Sequence, residues 1–502
     1  MSDLTNDEDN DVLSTALRVT ETVKNADAYD ELSAAIALRY ADREDYDRAV
    51  QIADTINDPY MRERTVADIA VKGARAGHEE YAFELLGSLE DLSHESTAAT
   101  VIAIDHADAG RFDRAVEIAS NLDDNSTLLA EIATKCAAAG DADRALEIAE
   151  TVDDPLHKSL ALTRIAEAEI KAGHTDSASD AIELAMEESN EIDSSDERAT
   201  TRAEIALRFS DLARPEDAAG VLAHAAEDAE AAVEPYKDTS YAEIATSHAR
   251  LKDYEVALEV AEKIDDVYVA ANTLARIAVI EHGDEEREAE SLQLLQDAFE
   301  LLTDEVPQSE REESQRSNIL SQIALNYADF HQRAKAIKAA EAIGPQHERD
   351  FALIGVALRL IETEDIDGAL STVRSIPDQT YSLNGLLRLS RSLISNEAER
   401  DRGLGLVAEA QKLLEKIESP LDRVIALAQM ATIFADVDQK QRAEILIRQA
   451  VEESRSITRE FDKASALISI ADPYAKIGFE PDDEFNELLW QVPLGFGSAM
   501  SD

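Results

Sequence analysis

The chain has 502 residues, of which 44% are hydrophobic and only 5% aromatic, with 17 Gly and 11 Pro. That composition suits helices and argues against an all-β fold, and its apolar share is too high for a disordered acidic tail. With 106 acidic residues against 48 basic ones the net charge is −58, which excludes the basic surface that nucleic acid binding requires.

Taken from the start, residues 1–10 are polar and acidic and read as a frayed end. Leu13 to Val23 reads as a single helix without a partner before it. Ala16 lies 33 residues before Ala49, so this helix is half of a unit written in full further on. A half-unit covering the first full one is what an N-terminal cap of a repeat array should be.

The full unit is clearest from Ile132 to Pro155. Leu128, Leu129, Ile132 and Cys136 follow the 3.6-residue period of one helix, here helix A. Gly140 supplies a left-handed stop. Asp141 or Asp143 can cap helix B, and Asp153-Asp154-Pro155 ends it, because Pro cannot continue a helix. Thirteen positions serve as helix A anchors: Ile36, Ile69, Ile102, Ile132, Ile165, Ile205, Ile244, Ile277, Ile323, Val356, Leu389, Met430 and Ile470. Twelve are followed by Ala, and Leu389 by Ser390. Ten have Ala thirteen residues later, from Ala49 to Ala443, and five have Gly eight residues later, at Gly77, Gly110, Gly140, Gly173 and Gly478. One helix pair cannot bury its own apolar face, whereas stacked pairs build a continuous core. The expected fold is therefore all-α: an α-solenoid of about thirteen antiparallel helix pairs.

The commonest step between anchors is 33 residues and the widest is 46. The 33-residue step, the turn glycines Gly110 and Gly140 and the helix B alanines Ala115 and Ala145 resemble tetratricopeptide repeats. The sequence departs from that pattern where Ala99 and Leu129 replace an early aromatic residue, and where Ala103 and Ala133 follow the anchor in place of Gly. The Tyr four residues after the anchor occurs only at Tyr40, Tyr327 and Tyr474. The resemblance implies a right-handed superhelix with helix A lining its concave face.

Between about 186 and 240 the steps stretch to 40 and 39 while the composition stays helical, so longer helices are expected there. The polar stretch 303–317, with Pro307, is the candidate flexible joint. The expected organisation is a tail and capping helix at 1–28, repeats at 29–302, the joint, further repeats at 318–478, and a C-terminal cap or docking tail at 479–502. That tail holds the only Trp, Trp490, with Phe485, Leu488 and Leu489 at helical spacing.

No phosphate loop, nucleophile elbow or HExxH motif occurs, so no catalytic residue, cofactor or metal ligand is assigned. The nearest glycine-rich stretch, Gly403-Leu404-Gly405, reads as a turn in an insert between helices. His78 and His174 follow turn glycines, and His282 precedes a Gly-Asp helix stop. The only cysteine, Cys136, excludes an intrachain disulfide framework and sits on the apolar side of its helix. There is no apolar run near 18 residues and no secretory leader, so a membrane role is not expected and the compartment is read as cytoplasmic. Acidic residues spread through every repeat resemble the cytosolic proteins of salt-in halophiles.

By the tetratricopeptide resemblance, helix A residues around the anchor line the groove. One residue before it stand Arg164, Arg276 and Arg388. Three after it stand Arg39, Lys72, Lys135, Arg208 and Arg359. Such cations could clamp an acidic peptide, or they could pair with neighbouring carboxylates. The expected function is a non-catalytic scaffold that binds a protein or peptide through Arg164, Arg276 and Arg388, with Trp490 as a second contact. The alternatives are a self-assembling structural protein and an all-α enzyme with its site in the groove. The oligomeric state stays open.

Overall fold

A computed structural model describes residues 11–493 of the chain. The polar start, 1–10, and the end of the expected tail, 494–502, lie outside the described residues. Among the described residues there are α-helices and two short 3₁₀ turns and no strand, and no helix is long and apolar enough to cross a membrane.

The chain divides into two compact units, one holding residues up to Ala99 and from Glu364 onward, the other Thr100–Thr363. The first unit begins with α1 (Val12–Thr20), α2 (Ala26–Asp42), α3 (Tyr46–Ala53), α4 (Pro59–Arg75) and α5 (Glu79–Leu86), and α6 (Leu92–Asp108) crosses the division. The second unit continues with α7 (Phe112–Ala119), α8 (Ser126–Ala138), α9 (Ala142–Ala149), α10 (Pro155–Ala172), α11 (Thr175–Ser189), α12 (Ser195–Asp211) and α13 (Pro215–Ala231). It then holds α14 (Tyr236–Arg250), α15 (Tyr254–Ala261), α16 (Val267–His282), α17 (Glu288–Asp304), α18 (Glu310–Asp329), α19 (Arg333–Glu341) and α20 (Gln346–Glu362). The first unit resumes with α21 (Ile366–Ser375), α22 (Gln379–Ile394), α23 (Arg400–Leu413), α24 (Pro420–Asp436), α25 (Lys440–Ser454), α26 (Glu460–Lys476) and α27 (Asp483–Gln491).

The thirteen anchors fall one to each even-numbered helix from α2 to α26, and none is more than 1% exposed. The ten alanines thirteen residues on lie in odd-numbered helices and are equally buried. Within each unit a helix A packs on the helix B that follows it and on the next helix A, as α2 does on α3 and α4, and α10 on α11 and α12. The small residues let the two helices of a hairpin approach, and the anchor fills the space beside them.

The turn eight residues after the anchor is more regular than its glycines suggest. Gly77, Gly110, Gly140, Gly173 and Gly478 have positive φ there, and so do Glu44, Ala213, Lys252, His331, Glu364 and Asp438. The hairpin geometry imposes a left-handed residue at this place even where the side chain resists it. The two remaining repeats, anchored at Ile277 and Leu389, carry their small helix B residue one place later, at the buried Ser291 and Gly403.

Gly403 and Gly405 therefore do not form a turn, because both lie inside α23. A Cβ on Gly403 would meet Ile394 Cγ1 at 2.8 Å and the Ser390 carbonyl oxygen at 3.0 Å, and Ser390 Oγ donates to Gly403 O at 2.8 Å. The stretched steps do lengthen helices: α11 has 15 residues and α13 has 17, against 8 in α9. Of the segment 303–317, only 305–309 lies outside helix, and the rest extends α17 or α18.

A second set of contacts ties one repeat to the next. Asp30, 2% exposed on α2, accepts from the backbone N–H of Asn57 at 2.8 Å and of Asp58 at 2.9 Å, just ahead of α4. Asp238 on α14 does the same for Asp265 and Asp266, ahead of α16. Both stand six residues before their anchors and give the loop N–H groups a buried carboxylate acceptor.

Candidate functional site

Four helices of the Thr100–Thr363 unit build a highly charged cleft: α10, α12, α14 and α16. Its volume is about 360 Å³, and its lining includes Arg164, Arg208, Arg250, Arg276, Glu204 and Glu243. Four guanidiniums thus converge from four successive A helices, in a chain of net charge −58.

The helical period explains the convergence. Arg164, Glu204, Glu243 and Arg276 each stand one residue before a buried anchor, so they emerge at the same height on neighbouring helices. Arg276 clasps Glu243 with both nitrogens, Nη1 to Oε1 at 2.6 Å and Nη2 to Oε2 at 2.9 Å. Arg164 reaches Glu204 at 3.1 Å across to α12 and Glu167 at 3.1 Å on its own helix. Arg208 meets the same Glu167 at 2.8 Å and Asp211 at 3.1 Å. Burial pushes the Glu167 carboxyl up, but Lys171, Arg208 and Arg164 together hold it below the ordinary glutamate value. Arg250, at the exposed end of α14, has no carboxylate partner among the described residues.

The structure thus brings Arg164 and Arg276 to one cleft. Arg388 belongs to the other unit, exposed on α22 one residue before Leu389. Trp490 sits on α27 in that same other unit. The residue is 45% exposed, and its ring centroid lies 4.2 Å beneath the Arg18 guanidinium of α1. Its neighbours on α27, Phe485 and Leu489, are fully buried.

The cations three residues after the anchor do not stand free. Lys72 pairs with Asp42, Lys135 with Asp108 at 2.6 Å, Arg359 with Asp329 at 3.1 Å, and Arg39 with Asp472 at 3.3 Å. Each bridges to an A helix beside its own, so these residues stitch repeats together. Arg250 was missed by reading only the places next to the anchor. It stands six after Ile244, on the same face one turn beyond Ser247, and that spacing is the signal that could have found it.

Among the described residues no group of three His, Cys, Asp or Glu side chains could hold a metal ion. Cys136 is buried, its thiol directed at the Asp141 carbonyl at 3.4 Å, and burial pushes its pKa up to about 11. His282 stacks on Phe330 at 3.5 Å and meets Ser291 Oγ at 3.1 Å, which accounts for it as a packed residue. Chemically the cleft offers guanidiniums, each of which donates in a fixed fork and keeps its proton throughout the working pH range.

The fold and the cleft define an all-α protein of stacked helical hairpins. No family model matches the sequence, and no curated protein matches it. Among solved structures, Ton1535 from Thermococcus onnurineus NA1 is 21% identical with a TM-score of 0.26, covering 70% of this chain and 97% of that one. A Naa15/Naa10 structure bound to HypK-THB is 13% identical with a TM-score of 0.26, covering 97% and 94%. A circular tandem repeat protein is 14% identical with a TM-score of 0.18, covering 97% and 96%.

Proposed function

We propose that the protein is a non-catalytic, tetratricopeptide-like scaffold that holds an acidic peptide segment of a partner protein across the α10–α16 cleft. The observation that supports this most is the gathering of four arginines in one cleft of so acidic a chain. The internal pairs there are half-exposed, at 46% and 39% for Arg164 and Glu204 and 32% and 39% for Arg276 and Glu243. Pairs that exposed contribute only about 0–1 kcal/mol, so a ligand carboxylate can replace Glu204 or Glu243 at little cost. Arg250 offers the first contact. A chain with this charge suits a salt-rich cytoplasm, where a carboxylate surface stays hydrated.

The test is fluorescence anisotropy with labelled Glu- and Asp-rich peptides in 0.5–2 M KCl, comparing the parent chain with R250E and R276E. Saturable binding that falls at least tenfold in each variant supports the reading. Equal affinity in parent and variants refutes it. Charge reversal at Arg388 and replacement of Trp490 ask in the same assay whether the second unit shares the ligand.

A further inference from the structure

The first described helix and the last helix A meet in a single repeat. The last helix A, α26, is followed by no helix B of the usual kind: Asp483 stands where Ala would be expected, thirteen residues after Ile470. The place is filled from the other end of the chain. Helix α1 packs chiefly on α26 and touches α2 and α27 more lightly. Its Val12, Leu13, Ala16, Leu17 and Val19 are all buried. The expected cap of the first repeat is in this way mainly the second helix of the last one.

Polar contacts mark the same seam. Asp11, the N-cap of α1, pairs with Arg43 at the end of α2. Arg39 of α2 reaches Asp472 of α26. Arg18 covers Trp490. On the far side Arg448 holds Asp482 at 2.8 Å and lies over Phe485, fixing α27 against α25. Residues 21–25 connect α1 to α2, a five-residue tether.

We propose that α1 is an exchangeable helix: the groove on the last repeat accepts α1 from a second copy of this chain, and two copies can trade their first helices. Every copy carries both the helix and the groove. A swapped pair therefore keeps each contact of the unswapped one, Arg18 over Trp490 included, and only the tether decides between them. A short flexible tether gives an effective concentration on the order of millimolar, so the intrachain arrangement prevails in dilute solution. A tether too short to span the gap reverses that preference. This inference is independent of the acidic-peptide cleft.

Trp490 is the only Trp, so its emission reports one place. Full-length R18A, in which the ring loses its cation, is titrated with a synthetic peptide of residues 11–24 carrying Arg18. In a second arm it is mixed with full-length W490F, which is silent in emission and donates a native α1. The expected result is a saturable return toward parent emission, half complete at peptide concentrations on the order of millimolar. In a third arm residues Thr22–Lys24 are deleted from the otherwise full chain. Light scattering in molar KCl should then give twice the parent mass at micromolar concentration, with parent-like Trp490 emission. An R18A emission that moves with neither peptide nor W490F chain, or a shortened chain that stays monomeric with parent emission, overturns the proposal.

Discussion

The left-handed turn between helices A and B predicts a pair of substitutions with opposite signs. Ala213 and Gly140 occupy the same place in two repeats, with φ of 57° and 90°. Their backbone bonds match: Ala213 N donates to Ser210 O at 2.8 Å and Gly140 N to Ala137 O at 2.9 Å. A non-glycine residue in this conformation costs about 1–2 kcal/mol. Replacing it by Gly removes that cost but returns about 0.4–1 kcal/mol to the unfolded chain as entropy. Ala213→Gly should therefore stabilise by about 0.5–1 kcal/mol, and Gly140→Ala should destabilise by a similar amount. Nothing lies within 4 Å of a Cβ added at Gly140, so the backbone alone carries the effect. Urea unfolding of the full chain in 2 M KCl measures the net change. Because repeat arrays can open in parts, amide exchange across α12–α13 and α8–α9 places it in the affected hairpin. Shifts of the same sign in the two variants would refute the reasoning.

Three further outcomes are expected. Asp30→Ala removes the buried carboxylate that accepts from two loop N–H groups and should cost about 1–3 kcal/mol, seen as a lower melting temperature, with no loss if the loop finds water instead. Burial, helped by nearby carboxylates, pushes the phenols of Tyr241, Tyr327 and Tyr474 up to about 12. A raised folded value means that their contribution to stability is complete below the ordinary tyrosine pKa of about 10 and fades as the pH climbs through about 12. Ultraviolet titration should show these three among the last of the twelve tyrosines to ionise, together with unfolding, and early ionisation would contradict their burial. Finally, screening of the −58 charge should raise the melting temperature between 0.1 and 2 M KCl, as the Debye length falls from about 10 Å to below about 3 Å. A flat profile would mean that surface repulsion contributes little.

The helix count, the anchors and the alanines facing them were legible because each is set by contacts within one hairpin, and such contacts recur at a fixed interval. The turn was legible only in part. Glycine announced it five times, while Glu44, Ala213 and Lys252 adopt the same geometry without a residue that advertises it. Gly403 misled for the opposite reason: a glycine needed for close helix approach looks in sequence like one needed for a bend. In the cleft, the place before the anchor picks out Arg164 and Arg276, which line it together. It could not show that Glu204 and Glu243 would arrive at the same height to pair with them. That depends on how far each A helix is displaced along its neighbour.

The pairing of α1 with α26 shows where periodicity stops informing. A repeat interval relates a residue to its counterpart one hairpin on, and nearest-neighbour packing follows from it. Among the described residues α1 and α26 have no such neighbour on one side, so nothing periodic specifies what covers them. What the sequence does hold is an imbalance: an unpaired helix B before Ile36, and after Ile470 a segment with Asp483 in place of the small residue. A surplus half at one end and a deficit at the other are complementary, and burying both apolar faces together leaves neither exposed to water. The same reasoning predicts that enlarging Ala16, fully buried in α1, should unsettle the C-terminal repeat by about 1–3 kcal/mol of overpacking. Ala16→Leu should therefore change Trp490 emission and speed amide exchange in α26, more than 440 residues away in the chain. Exchange that quickened only in α2 would show α1 acting as a cap for its own neighbour instead.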